Sequence, residues 1–183
     1  MNDYRNEVIR ITTIVVLAMH GVPPNDFPTG ELTELFRLHG QLQHIPPHAD
    51  PYLQQRHDEL DVKIRNWPRN ESNDPYWGAS YILGKTIESL TNWKVIVGFN
   101  EFCAPSIDDA MEEAILQSPK RIIVVTPMMT AGGEHSEVDI PDAIARARHK
   151  HADIEIVYAW PFKTEEIAKF LVKQIEKHLR KAG

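Results

Sequence analysis

Three ionisable side chains stand where apolar runs of this chain give out. His20 follows the run Ile11–Met19, Glu101 follows Trp93–Phe99, and His135 lies in the loop after Arg121–Thr126. Glycines flank all three: Gly21 beside His20, Gly98 before Glu101, and Gly132-Gly133 before Glu134-His135. Glycine lets backbone approach a ligand closely. If the apolar runs are parallel strands, their carboxyl ends share one rim, where ligands bind in open α/β sheets. Two imidazoles there can converge on one divalent ion, and imidazole suits iron, cobalt, nickel and zinc. Glu101 would complete the ligand set or act as a base, with Glu134 in a supporting place.

Other reactive residues carry weaker patterns. Cys103 near a helix start could have a lowered pKa, but no triad spacing accompanies it, and a small buried residue is the plainer reading. His44 and His48 have the spacing of a helical metal pair, yet Pro46 and Pro47 between them forbid that helix. His149 and His151 fall at a helix C-terminus, where a cation suits the dipole. Gly132-Gly133 lacks both the P-loop lysine and the dinucleotide fingerprint. Taken alone, Glu101 and Glu134 also fit cap or salt-bridge roles.

The elements that must position these groups read as follows. Ile11–Met19, Trp93–Phe99, Arg121–Thr126 and Ile154–Ala159 are short apolar runs rich in β-branched residues. Between and after the last three lie helical patterns over Pro105–Gln117, Val138–His149 and Thr164–Arg180. Pro105 suits a first turn, Asp139 or Ser136 a cap, and Ile167, Phe170, Leu171, Gln174, Ile175 and Leu179 form the last helix's face. Uniformly apolar strands alternating with helices predict a parallel sheet covered on both faces.

The stretch Gly21–Asn92 is far longer than the dozen or so residues a crossover needs. It predicts helices over Gly30–Gln43, Tyr52–Trp67 and Pro75–Leu90, the crossover helix being Tyr76–Leu90. The expected architecture is one α/β domain over residues 1–183, a three-layer α/β/α parallel sheet, with a helical insertion after the first strand at about 22–75.

Composition narrows the function class. Of 183 residues, 42% are apolar and 25% charged, the balance of a globular chain rather than a fibre or a disordered tail. Twenty Lys and Arg against 26 Asp and Glu give a net charge of −6, with no basic stripe, so nucleic acid is not an expected partner. The longest apolar run is far short of the ~20 residues that cross a bilayer, so no membrane partner is expected. The lone Cys103 suits a reducing compartment, and a cytoplasmic location is expected.

Three segments together resemble the motifs of one family. His20-Gly21 is similar to its opening histidine-glycine pair. Gly98-Phe99-Asn100-Glu101-Phe102-Cys103-Ala104-Pro105-Ser106-Ile107 is similar to its second motif, a strand end followed by Pro-Ser opening a helix. Thr126-Pro127 with Gly132-Gly133-Glu134-His135-Ser136-Glu137-Val138-Asp139-Ile140-Pro141 is similar to its third, with a closing Asp-Ile-Pro. The family is that of the short CbiX-type sirohydrochlorin chelatases, class II chelatases with a ferrochelatase-like fold. The resemblance covers residues 11–21 and about 93–180.

It implies insertion of a divalent metal, Co²⁺, Ni²⁺ or Fe²⁺, into a sirohydrochlorin-like tetrapyrrole. The metal is a substrate, and no organic cofactor is implied. The family's two histidines map onto His20 and His135, as metal ligands and catalytic groups, with Glu101 placed beside them by position. Short members pair as homodimers, which implies the same here. A polyanionic tetrapyrrole needs cationic clamps on this acidic chain, and Arg37, Arg69 and Lys85 are the candidates from the excursion.

Two alternatives stay open at the level of sequence. Val22 stands where the family has serine, and the excursion is long, which suits a protein that binds metal or tetrapyrrole without turning it over. A strand ending in histidine-glycine also occurs in histidine phosphatases, with His20 as nucleophile. Those have arginine before the histidine, where this chain has Met19.

Overall fold

The computed structural model describes residues 13–46 and 48–179. The start of the first apolar run, Ile11 and Thr12, and Arg180 at the end of the last helical pattern lie outside them. Four strands form one sheet: β1 (Thr13–Met19), β2 (Lys94–Phe99), β3 (Arg121–Val125) and β4 (Glu155–Tyr158). Their order is β2-β1-β3-β4 and every pairing is parallel. All seven residues of β1 are buried, as a central strand covered on both sides requires.

Alternation along the strands feeds two cores. Ile14, Val16 and Ala18 of β1 pack with Ile96, Ile122, Val124 and Ile156 under helices α4 (Ile107–Leu116) and α5 (Ile140–Lys150). Leu17 and Met19 face the other way, with Val97 and Phe99, under Tyr76, Trp77, Tyr81 and Ile87 of α3 (Pro75–Thr91). Each fully buried aliphatic side chain contributes roughly 1.5–3 kcal/mol. The result is the expected α/β/α layering. Gly98 is required on β2 because a Cβ there would lie 2.7 Å from the Cβ of Ala110, so strand and α4 could not approach as they do.

Two helices precede α3. α1 (Thr29–Leu42) and α2 (Pro51–Arg65) pair through Phe27, Leu35, Leu38, Leu60 and Ile64. Their ends follow local chemistry. Asp50 accepts from the N–H groups of Tyr52 and Leu53, both at 3.1 Å, ahead of Pro51 at the first turn. α1 stops at Leu42, so His44 and His48 share no helix. Phe102, from the loop after β2, packs into this small core and fastens the helical pair to the rim of the sheet.

Two expectations need correction. Pro105 precedes α4 rather than opening it. Ser106 is the cap, accepting from the Asp109 N–H at 3.1 Å while Asp109 accepts from the Ser106 N–H at 2.9 Å. The helix expected from Val138 starts earlier, as a π-helical turn His135–Asp139 that runs into α5, and neither Ser136 nor Asp139 caps it. The last helix, α6 (Thr164–Leu179), carries its predicted apolar stripe but buries none of it: Phe170 is 55% and Ile175 59% exposed. β4's Val157 is also exposed, so that side of the sheet is covered over β1 and β2 but open at β4.

Candidate metal site and its relatives

The sheet order creates a crevice between β1 and β3. The chain leaves β1 towards α3 on one face and leaves β3 towards α5 on the other, so the two loops diverge at the carboxyl ends. His20 stands directly beyond β1. Ladder bonding continues past the strands, with the Asn100 N–H donating to the Met19 carbonyl at 2.9 Å and the Glu101 N–H to the His20 carbonyl at 3.0 Å. This places Glu101 beside His20. Gly21 makes the turn possible: its φ is +97°, and a Cβ there would overlap the Glu101 carbonyl.

His135 reaches the same point from the other side. It opens the π-turn, where helices often carry functional groups. Ser136 is held from two directions: its hydroxyl donates to the Gly133 carbonyl at 3.0 Å, and its carbonyl accepts from the Tyr158 hydroxyl at 2.9 Å. Burial pushes the Tyr158 phenol up to about 12, so it stays a donor at neutral pH.

The rings of His20 and His135 meet edge to face, with centroids 4.6 Å apart and planes at 89°. Glu101 Oε1 lies 3.3 Å from His20 Nε2 and 3.5 Å from His135 Nε2. One ligand atom from each of the three lies within 4.8 Å of the others. Ligand atoms ~2.1 Å from a common ion sit ~3–3.5 Å apart, so little movement is needed to close on a metal. The far nitrogens are held too. His135 Nδ1 is 2.6 Å from Asp139 Oδ2, and His20 Nδ1 is 2.5 Å from the Gly21 carbonyl. Such partners orient metal-ligating imidazoles. The His20 backbone N–H donates to the Tyr76 hydroxyl at 3.3 Å, linking the site to α3.

A 480 Å³ cavity opens beside this cluster, lined by Phe36, His39, His57, Asp61, Arg65, Glu101, Phe102, Glu134, His135 and Asp139 among others. Glu134 is exposed on its wall and is not one of the three side chains whose ligand atoms converge. A shallower 720 Å³ depression on the outer side of α2 shares no residue with it.

None of the three expected cationic clamps lines the cavity. Arg69 is only 4% exposed and is ion-paired with Asp74, which is 0% exposed. Its guanidinium also donates to the carbonyls of Val22 and Ile64, at 3.0 and 3.2 Å, and to that of Phe102. It ties together the loops after β1 and β2. Arg37 bonds Gln41 on the surface, and Lys85 borders other depressions. The guanidinium that does reach the cavity is Arg65, bonded to Asp61 at 2.7 Å and to the carbonyls of Asn100 and Cys103 at 3.1 and 3.3 Å.

Sequence reasoning passed over Asp139, Tyr76 and Arg65. The spacing of four between His135 and Asp139 was the available signal for the first. Cys103 is buried, and burial pushes its thiol up to about 11, the reverse of an activated nucleophile. His20 has a carboxylate rather than a guanidinium at its Nε2, which disfavours a phosphoryl group there.

The CbiX family model matches residues 74–178, more than half of the chain. The chain belongs to the CbiX family. Among its relatives is the sirohydrochlorin ferrochelatase of Priestia megaterium, 32% identical over 80 residues, a match spanning 43% of this chain and 30% of that protein. The sirohydrochlorin cobaltochelatase of Saccharolobus solfataricus is 31% identical over 106 residues, spanning 53% of this chain and 82% of the relative. A cobalt complex of the sirohydrochlorin chelatase SirB from Bacillus subtilis subspecies spizizenii aligns over 91% of this chain and 50% of that one, at 18% identity and a TM-score of 0.45. The CbiX match begins at Asp74 and ends at His178, so it takes in α3 and the elements after it but not α1, α2 or His20. Among the described residues no helix is long and apolar enough to cross a membrane.

Proposed function

We propose that this CbiX-family chain inserts a divalent metal ion, Co²⁺, Ni²⁺ or Fe²⁺, into a sirohydrochlorin-like tetrapyrrole. The observation that carries the reading is the convergence of His20, Glu101 and His135 at the sheet's rim, beside a cavity. Metallation must strip water from the ion and remove two pyrrole N–H protons. His20 and His135 hold the ion through Nε2, three protein ligands at most leaving positions for water and pyrrole nitrogen. As ligands leave, the imidazoles and the Glu101 carboxylate become free to accept the protons. Asp139 orients His135, and Glu134 offers a carboxylate on the way to solvent. The half-exposed site suits an ion that must be released, since a closed four-ligand cage would trap it.

The chain functions on this reading as one domain with α1 and α2 inserted, and as a homodimer. The exposed stripe of α6 and the uncovered face at Val157 of β4 support the pairing, since a second copy supplies both surfaces reciprocally. Sedimentation at micromolar protein tests it, a monomer being the contrary result. The buried free thiol of Cys103 suits a reducing cytoplasm.

The function is tested by mixing a large excess of sirohydrochlorin and Co²⁺ with the protein anaerobically and following tetrapyrrole absorbance. Many products per protein, formed above the spontaneous rate, are expected. A change that saturates at one equivalent would identify a carrier instead.

A further inference from the structure

The cavity lined by Glu101 and His135 also has a pair of histidines on its wall, on the two helices that the CbiX match does not reach. His39 of α1 and His57 of α2 face each other with Nδ1 and Nε2 3.4 Å apart. Their rings are tilted by 30° with centroids 5.6 Å apart. Two imidazole nitrogens each ~2.1 Å from one tetrahedral ion are separated by ~3.4 Å. The spacing therefore accommodates either an N–H···N hydrogen bond or one shared ion.

The surroundings resemble those of metal ligands. His57 Nδ1 lies 3.3 Å from Asp58 Oδ1, so the carboxylate can hold the Nδ1 proton and leave the Nε2 lone pair towards His39. His39 Nε2 is 3.1 Å from the Gln43 side-chain amide. An amide can turn either its oxygen or its nitrogen to that atom, so it can equally hold an Nε2 proton and free Nδ1. Both inner nitrogens can thus be unprotonated at once, which a metal requires and a hydrogen bond forbids. The helices are held in place independently of the histidines, by Leu35, Leu38, Leu60 and Ile64 and by the Arg56–Glu34 and Lys63–Glu31 ion pairs. His57 is 17% exposed and His39 is exposed, so the pair stands between solvent and the cavity.

We propose that His39 and His57 bind a divalent transition-metal ion and form an acquisition site from which the ion passes through the cavity to His20, Glu101 and His135. Two protein ligands with water elsewhere hold an ion loosely enough to give it up. The binding itself follows from the pair's geometry, while its role as supply rests on the chelatase reading above.

The test is anaerobic equilibrium dialysis with Co²⁺ alone, no tetrapyrrole present. Wild type is compared with H39A/H57A, with H20A/H135A and with all four replaced. The wild type should take up two ions per chain, each double variant one, and the quadruple variant neither. Single replacement H39Q, at an exposed position, guards against misfolding and should also remove the outer ion. Equal Co²⁺ uptake by wild type, H39A/H57A and H39Q would overturn the proposal. With sirohydrochlorin added, H39A/H57A should need several-fold more Co²⁺ for half its maximal rate. Loss of the outer ion in a protein that never metallates sirohydrochlorin would retain the site and remove the chelatase reading.

Discussion

His135 Nδ1 and Asp139 Oδ2 are 2.6 Å apart, one wide helical turn from each other. The contact fixes the ring that turns its Nε2 to Glu101, 3.5 Å away. Asp139 is bonded to the far nitrogen of His135 and lies outside the converging ligand set, so it is a positioning residue. Asp139→Asn keeps the shape and removes the charge. It should lower metal affinity or turnover about 10–100-fold. Since Asp139 is 45% exposed, the fold should tolerate the change. Thermal melting checks stability, and the pH profile of turnover should change shape, which a purely structural role would not produce.

Arg69 and Asp74 form a buried ion pair that links both loops bearing His20 and Glu101 to the start of α3. Asp74 also caps α3, accepting from the Trp77 N–H at 2.8 Å. Removing one charge from a buried pair leaves the other uncompensated, a cost of about 3–5 kcal/mol. Arg69→Gln should therefore destabilise the protein by that order in urea unfolding. A loss below about 1 kcal/mol would show that the pair is not needed to hold the loops.

Cys103 gives a prediction for pH. Burial raises its thiol from 9.0 to about 11, so between these values the native state keeps a proton that the unfolded chain has lost. Unfolding is then favoured as pH rises, and this contribution to stability is lost progressively above pH 9. Urea midpoints should fall over that range more steeply in the wild type than in Cys103→Ala. At neutral pH the native thiol should resist iodoacetamide and react once the chain is unfolded.

Much of this arrangement was legible before the structure. The strands announced themselves as β-branched apolar runs, and a parallel sheet puts strand ends on one rim, which is why His20 and His135 could be expected to converge with Glu101 beside them. His135 was harder, being displaced from β3 by the loop that contains Gly132-Gly133. Its partner was misread for a physical reason. An α-helix beginning just after Asp139 would make it a cap, whereas a π-turn beginning at His135 makes it the partner of the His135 ring. Arg69 was misread because its burial depends on α2 and the loops after β1 and β2 closing around it. No local pattern encodes that, nor the meeting of His39 and His57 from helices that only tertiary packing aligns. The stripe of α6 was correctly read, but a stripe alone does not say what covers it.

The central claim is that His20 and His135 act together on one ion delivered to a tetrapyrrole. The most direct measurement is the initial rate of anaerobic Co²⁺ insertion into sirohydrochlorin for wild type, His20→Ala and His135→Ala, with circular dichroism confirming that all three are folded. Each variant should lose about 100-fold or more of the rate above background. A variant of either histidine that metallates sirohydrochlorin as fast as the wild type would contradict the account.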